Sequence, residues 1–385
     1  MGESGEPRKS ELALASEQAM VVQTPGGRIH VRWDEGASGT PHGQFVFFAE
    51  FLATAGLFER WVQGCPLRYT SPNASMARDV LGTLMVGILA GSRRYAHIGS
   101  VRGDTVAAQA LGMSKLVSED SVRRALKAMP QHDSENWMRE ALMHSVRQAL
   151  EQPWVMDLDV TIKPLYGHQQ GAEVGFNPHK PGRPSHALHT YWVGNLRLVL
   201  DAELLSGKEH SSRHGLPALE RVLDELGPDK QPRLVRGDCG YGNEDVIALC
   251  EGRDLRYLLR LRQTSNVKRL IERVFKREGW TRATELSQGW QAIEDEIKLQ
   301  GWSRKRRVVV LRRRIKRDVA VTAEREGQQM VLALPYDQVV DEAKLWEFSV
   351  LVTDTDYGLE AIGQLYRDRC DCENGFDELK NQWGW

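Results

Sequence analysis

The segment Trp154-Val155-Met156-Asp157-Leu158-Asp159-Val160-Thr161-Ile162-Lys163 decides how the rest of the chain is read. Successive side chains of an extended strand point to opposite faces. Trp154, Met156, Leu158, Val160 and Ile162 therefore share one face, and Asp157, Asp159, Thr161 and Lys163 the other. Two carboxylates on one face of an otherwise apolar strand cannot both stay charged without compensation. A bound divalent cation would supply it. Solvent at a sheet edge, or pairing of Lys163 with one aspartate, would supply it too, so the strand alone leaves these alternatives open.

Downstream of this strand, two more strands are predicted at 187–194 and 196–205, separated by the turn-forming pair Gly194-Asn195. An amphipathic helix (216–226), a short strand (233–238), a helix (243–251) and another strand (256–261) follow. Hairpins first and βα alternation afterwards predict an α/β (α+β) fold, a mixed sheet with helices on its faces. That succession resembles the ribonuclease-H-like arrangement. Further on, a helix at 267–277, strands at 291–299, 306–315, 329–334 and 346–353, and one long helix at 356–382 are expected. Upstream, residues 1–43 form a polar tail with one strand candidate at 28–33. Residues 44–150 have helical periodicity, carried by Phe45, Phe48, Phe51, Leu52 and Leu57 and again by Val80, Leu81, Leu84, Met85 and Leu89. Within them, 104–129 reads as two helices around a turn at Gly112-Met113-Ser114, the second N-capped by Ser118. This fits a DNA-reading helix-turn-helix and equally a plain αα-hairpin. The expected organisation is thus a tail (1–43), a helical region (44–150), the first part of a catalytic core (151–263), a basic β-rich insertion (264–345) and the core's last strand and helix (346–385).

A second acid, Asp238, ends the strand Leu234-Val235-Arg236-Gly237 and precedes the turn Cys239-Gly240-Tyr241-Gly242. In open α/β sheets that strand end is where ligands bind, and the glycines let backbone approach closely. Asp238 could instead cap the following helix, although Asn243 is placed to do so. The loop lacks the GxxxxGK[ST] pattern, which excludes a P-loop. A third acid lies on the last helix. Stepping 100° per residue from Tyr366, Arg369, Glu373 and Lys380 fall at about 300°, 340° and 320°. A carboxylate, two cations and a phenol on one stripe suit a site holding metal and phosphate, Glu373 ligating and Arg369 and Lys380 neutralising phosphate oxygens. Asp377, at about 20°, is not excluded by geometry, and a solvated salt-bridged face has the same pattern.

Charge adds a partner. The chain has 385 residues, 51 Lys+Arg against 52 Asp+Glu and a net charge of −1, with 41% hydrophobic and 27% charged residues and a mean hydropathy of −0.45. This composition excludes bulk disorder, and no apolar run is long enough for a membrane span. The polar start MGESGEPRKSELALASEQ has no apolar core of a secretory signal. Five scattered cysteines (65, 239, 250, 370, 372) suit reduced thiols in a cytoplasm. The charge is unevenly spread: residues 252–317 carry 20 Lys+Arg and 7 Asp+Glu, leaving 31 against 45 elsewhere. Within that block, 304–317 has 9 basic residues and no acid, including Arg312 and Arg314, which reads as a DNA-backbone surface with salt-dependent binding. Two metal patterns fail. His186 and His189 would point oppositely in a strand, and Cys370-x-Cys372 is too close-set for a zinc knuckle and has no second pair.

Tyr366, Arg369, Glu373 and Lys380 in that spacing resemble the Tyr-Arg-Glu-Lys signature of DDE transposases in one large group of bacterial insertion sequences (insertion-sequence-4/1380-like). Asp159-Val160-Thr161 is similar to that family's Asp-x-Thr on the first strand, and Asp238 to its second acid. The 134 residues between Asp238 and Glu373 match its strand-rich insertion. The loop from Tyr166-Gly167-His168-Gln169 to Lys180-Pro181-Gly182-Arg183-Pro184-Ser185-His186 also looks like these proteins. The resemblance covers about 152–385. It implies that Asp159, Asp238 and Glu373 hold two Mg²⁺ (or Mn²⁺) ions for in-line phosphoryl transfer. It implies nicking at element ends and joining of the 3′-OH to target DNA, with Tyr366, Arg369 and Lys380 on end phosphates. A tryptophan in the insertion would stack on a flipped base: Trp346 by position, with Trp290 and Trp302 as rivals. The partners implied are double-stranded DNA and a second copy in a homodimer, with no membrane, in the bacterial cytoplasm at the nucleoid. A nuclease without strand transfer and an inactive DNA-binding remnant are the alternatives. The chain's end at Trp385, where such relatives continue, is read as truncation.

Overall fold

The computed structural model describes residues 20–24, 27–31, 36, 38–69, 71, 73–177, 180–209, 211–314 and 346–382. The expected strand at 329–334 lies outside them. Two compact units form, one from residues 1–58 and 67–128, the other from 59–66 and 129–385.

In the first unit, β1 (Met20–Thr24) pairs antiparallel with β2 (Gly27–Val31). The helices are α1 (Phe45–Thr54), α2 (Leu57–Gly64, whose last turns belong to the second unit), α3 (Ala77–Leu89), α4 (Thr105–Ala110) and α5 (Glu119–Ala128). The turn expected at 112–114 is present, with Gly112 at φ +61, where glycine carries no Cβ penalty. Buried Asp79 of α3 fixes it by accepting from Ser114 N at 2.9 Å. Asp104 caps α4 through Ala107 N at 2.8 Å, and the Ser118 hydroxyl accepts from Ser121 N at 3.2 Å, as read from sequence.

The second unit opens with α6 (Gln131–Val146), which packs on the sheet although its residues belong to the 44–150 region. The strands are β3 (Val155–Pro164), β4 (Glu173–Val174), β5 (Pro184–Val193), β6 (Leu198–Ser206), β7 (Leu234–Gly237), β8 (Tyr257–Arg260), β9 (Trp290–Ile297), β10 (Arg306–Arg314) and β11 (Trp346–Thr353). The helices between them are α7 (Ser211–Leu226), α8 (Glu244–Gly252) and α9 (Ser265–Phe275). One sheet takes all nine strands, in the order β4-β5-β3-β7-β8-β11-β10-β9 with β6 also on β5. The run β6-β5-β3-β7-β8 is antiparallel over its first three strands and parallel from β3 to β8. This is the ribonuclease-H-like mixed sheet. The strands β9 and β10 of the basic segment, joined through β11, extend that sheet past β8 in antiparallel pairing.

Alternation assigns the two faces. Met156, Leu158, Tyr191, Val235, Tyr257, Leu259, Val310 and Val350 face α7, α8 and α9 in the main core. Leu234, Leu258, Val309, Leu311 and Leu351 form a second core with Ile362, and Trp192 a third with Cys372 and Phe376. Each fully buried aliphatic contributes about 1.5–3 kcal/mol. Both faces of the central strands are therefore covered, and the carboxylate face of β3 lies under the C-terminal helices.

The long helix expected at 356–382 is broken into α10 (Leu359–Arg367) and α11 (Cys370–Asp377), followed by a π-helical turn, Glu378–Gln382. The reason lies outside the segment. The Arg236 guanidinium donates to Leu365 O, the carbonyl that would accept Arg369 N–H in a continuous helix. Arg369 N instead donates to Tyr366 O at 3.3 Å, a tighter turn that redirects the axis. Among the described residues no helix is long and apolar enough to cross a membrane.

Candidate active site

The register of β3 on β7 pairs Leu158 with Gly237, so Asp159, in the middle of β3, and Asp238, just past the C-terminal end of β7, follow side by side on two adjacent parallel strands. The β7–α8 turn holds Asp238: its Oδ1 accepts from Gly240 N at 2.9 Å, while Asn243, not Asp238, caps α8 through Val246 N at 3.1 Å. Gly242 lies directly against Arg260 O, where a Cβ could not fit. α11 completes the site. Asp159, Thr161, Asp238, Cys239, Arg260, Arg369, Glu373, Phe376, Asp377 and Lys380 line a cleft of about 440 Å³.

Three of the four residues on the predicted helical stripe meet here, in spite of the helix break. Arg369 is buried, with Nη1 2.8 Å from Asp159 Oδ2 and Nη2 3.6 Å from Glu373 Oε1. Lys380 Nζ donates to Thr161 Oγ1. Glu373 remains open, with 61% of its side chain exposed. Tyr366 does not line the cleft. It packs against the second core with its ring 5.9 Å from the Arg369 guanidinium carbon, and burial raises its phenol pKa. Arg260 and Cys239 are not singled out by the sequence; Arg260 is the last residue of β8, which pairs with β7, and its place near the end of the predicted strand 256–261 is the signal that could have found it.

The electrostatics centre on Asp159. Burial pushes its carboxyl up to about 6, with Asp238 adding to the shift and Arg369 and the Val160 N–H opposing it. Burial works against the charge on Arg369, but Asp159, Tyr366, Asp238 and Glu373 outweigh it and hold the guanidinium well above its usual value. The sign for stability follows. A carboxyl whose folded pKa is raised keeps a proton that the unfolded chain has already lost, so its contribution falls as pH rises from about 4 to about 6. Two units correspond to about 3 kcal/mol. Urea unfolding of wild type and Asp159→Asn in chelator should show the stability difference changing by that order over this window, in favour of the variant as pH rises. A pH-independent difference would remove Asp159 as the titrating group.

Asp157 is not part of this cleft. Its carboxylate is fully buried and forms a bidentate pair with Arg236, 2.6 Å from Nε and 2.7 Å from Nη2. Cys372 Sγ donates to the same carboxylate at 3.4 Å.

Several arginines of the basic segment are engaged within the protein, while others such as Arg269, Lys276 and Lys305 are exposed. Arg306 is buried between Glu244 and Glu251, Arg307 pairs with Glu294 at 2.8 Å and Arg313 with Glu347 at 2.7 Å. Arg312, expected on a DNA-facing surface, is instead caged. It sits 3.8 Å from the Trp280 ring and 4.7 Å from that of Trp346, and donates to Phe275 O and Gln291 Oε1. Trp346, expected to receive a flipped base, is covered by that arginine and packs edge-on against Phe275. Its rivals are buried, Trp290 at 8% exposure beneath Arg313 and Trp302 at 6% beneath Arg306, so neither ring offers an open face. Arg314 is exposed. Among the described residues no three His, Cys, Asp or Glu side chains converge into a ready metal cluster, the His186–His189 region included.

No curated protein matches the chain. Among solved structures it is similar to the piggyBac transposase in a synaptic complex with hairpin DNA, at 11% identity over 91% of this chain and 70% of that one, with a TM-score of 0.41. It is also similar to the Mos1 transposase in a paired-end complex with the left transposon end, at 13% identity over 49% of this chain and 60% of that one, with a TM-score of 0.20. The family described as Transposase DDE domain group 1 matches residues 26–385. The chain belongs to this family of DDE-domain transposases.

Proposed function

We propose that the protein is a transposase that cuts DNA at the ends of its element and joins the freed 3′-OH to target DNA. The Tyr-Arg-Glu-Lys spacing supports the insertion-sequence-4/1380-like group, acting as a homodimer on paired ends in the bacterial cytoplasm. The observation that carries the reading is the cleft itself: Asp159, Asp238 and Glu373, from three segments far apart in sequence, line it together with Arg260, Arg369 and Lys380.

The donor set fits a hard divalent cation. All three acids offer carboxylate oxygens, the ligands that suit Mg²⁺ or Mn²⁺. Asp159 is buried enough to need a cation, and here the Arg369 guanidinium fills that role. Asp159, Asp238 and Glu373 would hold the metal, two ions in our reading. Bound there, it would supply activation of the attacking hydroxyl and charge neutralisation at the leaving oxygen. The chain's own groups do the rest. Arg260, Arg369 and Lys380 bind and orient the scissile phosphate, Tyr366 backs Arg369, and the β7–α8 turn fixes Asp238. Phosphoryl transfer depends mainly on such positioning and charge stabilisation. Arg314 remains a candidate contact to the DNA backbone.

The test is incubation with Mg²⁺, DNA carrying the element's own ends and a target plasmid. Strand-transfer products are expected. Cleavage without joining would reduce the protein to a nuclease, and binding without either would make it a remnant.

A further inference from the structure

Two residues beyond β3, Tyr166 opens the loop that returns to β5, with 70% of its surface exposed. Single exposed aromatics are ordinary, but this one is dressed with charge. The Arg183 guanidinium carbon stands 4.3 Å from the ring centroid and Lys180 Nζ 5.5 Å from it. The loop is also braced. Leu165 N donates to Pro184 O at 2.9 Å, His186 Nε2 meets Gln170 O at 3.0 Å, and β4 pairs with the start of β5. Gly175 lies so close to Gly207 O that no side chain could be accommodated between them. The Tyr166 ring is thus presented from a fixed frame, which lowers the entropy lost on binding.

The strand β3 connects this ring to the cleft. Asp159, Thr161 and Lys163 share one face of β3 by alternation. Lys380 donates to Thr161, and after burial the nearby Lys163 charge is the next cause lowering its pKa. Arg369, Lys380 and Lys163 thus follow β3 out of the cleft, and Tyr166 with its two cations stands three residues beyond Lys163 in the chain. Spaced cations match the phosphates of a polynucleotide. An arginine-backed ring open to solvent matches the face of an unpaired base. An acidic protein segment would use the cations but leave the ring without a role.

We propose that Tyr166, Lys180 and Arg183 form a docking surface for the DNA strand leaving the cleft, with Tyr166 stacking on an unpaired base and Arg183 and Lys180 holding the flanking phosphates. The inference rests on the DNA-processing reading and adds where the strand goes. Its test needs no catalysis. The probe is a DNA duplex with a single-stranded 3′ tail carrying 2-aminopurine, compared with the blunt duplex in fluorescence titrations. Wild type should quench the probe and bind the tailed duplex more tightly than the blunt one. Tyr166→Ala should bind the tail about 10-fold more weakly, the scale of one stacked base, and lose the quenching, while Tyr166→Trp retains both. Arg183→Ala should weaken tail binding and lower its salt dependence. Tail binding and quenching unchanged in Tyr166→Ala would overturn the proposal and leave the DNA reading intact, as would displacement of the tail by poly-glutamate in wild type and Tyr166→Ala alike. Failure of wild type to bind either duplex would take both down together.

Discussion

Asp159→Asn is expected to lower metal-dependent DNA cleavage by about a thousandfold while DNA binding is undiminished. The two readouts separate because the residue does two opposite things. As a proposed metal ligand it contributes several kcal/mol to the transition state, and each 1.4 kcal/mol is about tenfold in rate. As a buried anion in a cleft that must receive phosphates, it repels the substrate. Asparagine keeps the shape, removes the charge and leaves Arg260, Arg369 and Lys380 to bind DNA, with Arg369 released from its 2.8 Å contact. Asp238→Asn and Glu373→Gln should follow the same pattern. Glu373 is the most informative of the three, because its exposed side chain makes a folding defect negligible. A variant at any of the three positions that keeps more than about a tenth of wild-type cleavage removes that residue from the catalytic set.

Periodicity made much of this site legible. The alternation of 154–163 put Asp157, Asp159, Thr161 and Lys163 on one face, and the β3–β7 register then brings Asp159 beside Asp238. Glycines at 237 and 242 marked close backbone approaches that exist, Gly237 over Tyr241 and Gly242 against Arg260 O. What could not be read was partnership across long separations. Asp157 and Asp159 were rightly judged to need compensation, but nothing in the sequence indicates that Arg236 serves one and Arg369 the other. A wheel drawn at 100° per residue assumes a continuous helix, and the carbonyl that breaks it is claimed by a side chain from another strand.

The charge partition located a basic segment but not the partner of each cation, for the same reason. A net of +13 over residues 252–317 is a property of the string, whereas a surface depends on where each cation ends. Arg306 pairs with Glu244 and Glu251, both upstream of the block, and Arg313 pairs with Glu347 beyond it. Burial among Trp280, Trp346 and Phe275 lowers the pKa of Arg312. A run of basic residues without an acid reads as a DNA-backbone surface, yet the same arginines make cation–π brackets on tryptophans outside the run when strands pair. Arg-on-Trp contacts at 280, 290, 302 and 346 are such brackets, and they serve the sheet extension.

The largest stability effect is expected at Arg236, a residue no motif singles out. Arg236 is 3% exposed and Asp157 fully buried, so both charges are desolvated and each is the other's only ionic partner among the described residues. Removing one partner of such a pair costs about 3–5 kcal/mol, because the other stays behind uncompensated. Arg236→Met should therefore lower the urea midpoint by an amount corresponding to that loss, with the m-value unchanged. Replacing both by apolar residues of similar volume, as in Asp157→Leu with Arg236→Met, should recover most of the stability. Activity should not recover with it. The pair also fills the space beside Gly194, which has no room for a Cβ. The Arg236 contact to Leu365 O sets the α10–α11 break from which Arg369 reaches Asp159. With methionine at 236, Leu365 O is free to accept Arg369 N–H, the helix can run straight, and the Arg369 guanidinium turns away from the cleft. The double variant is thus expected to be folded, to bind DNA more weakly and to cleave slowly. If it cleaves at the wild-type rate, the pair is packing alone, and the position of Arg369 must be set by α11 itself.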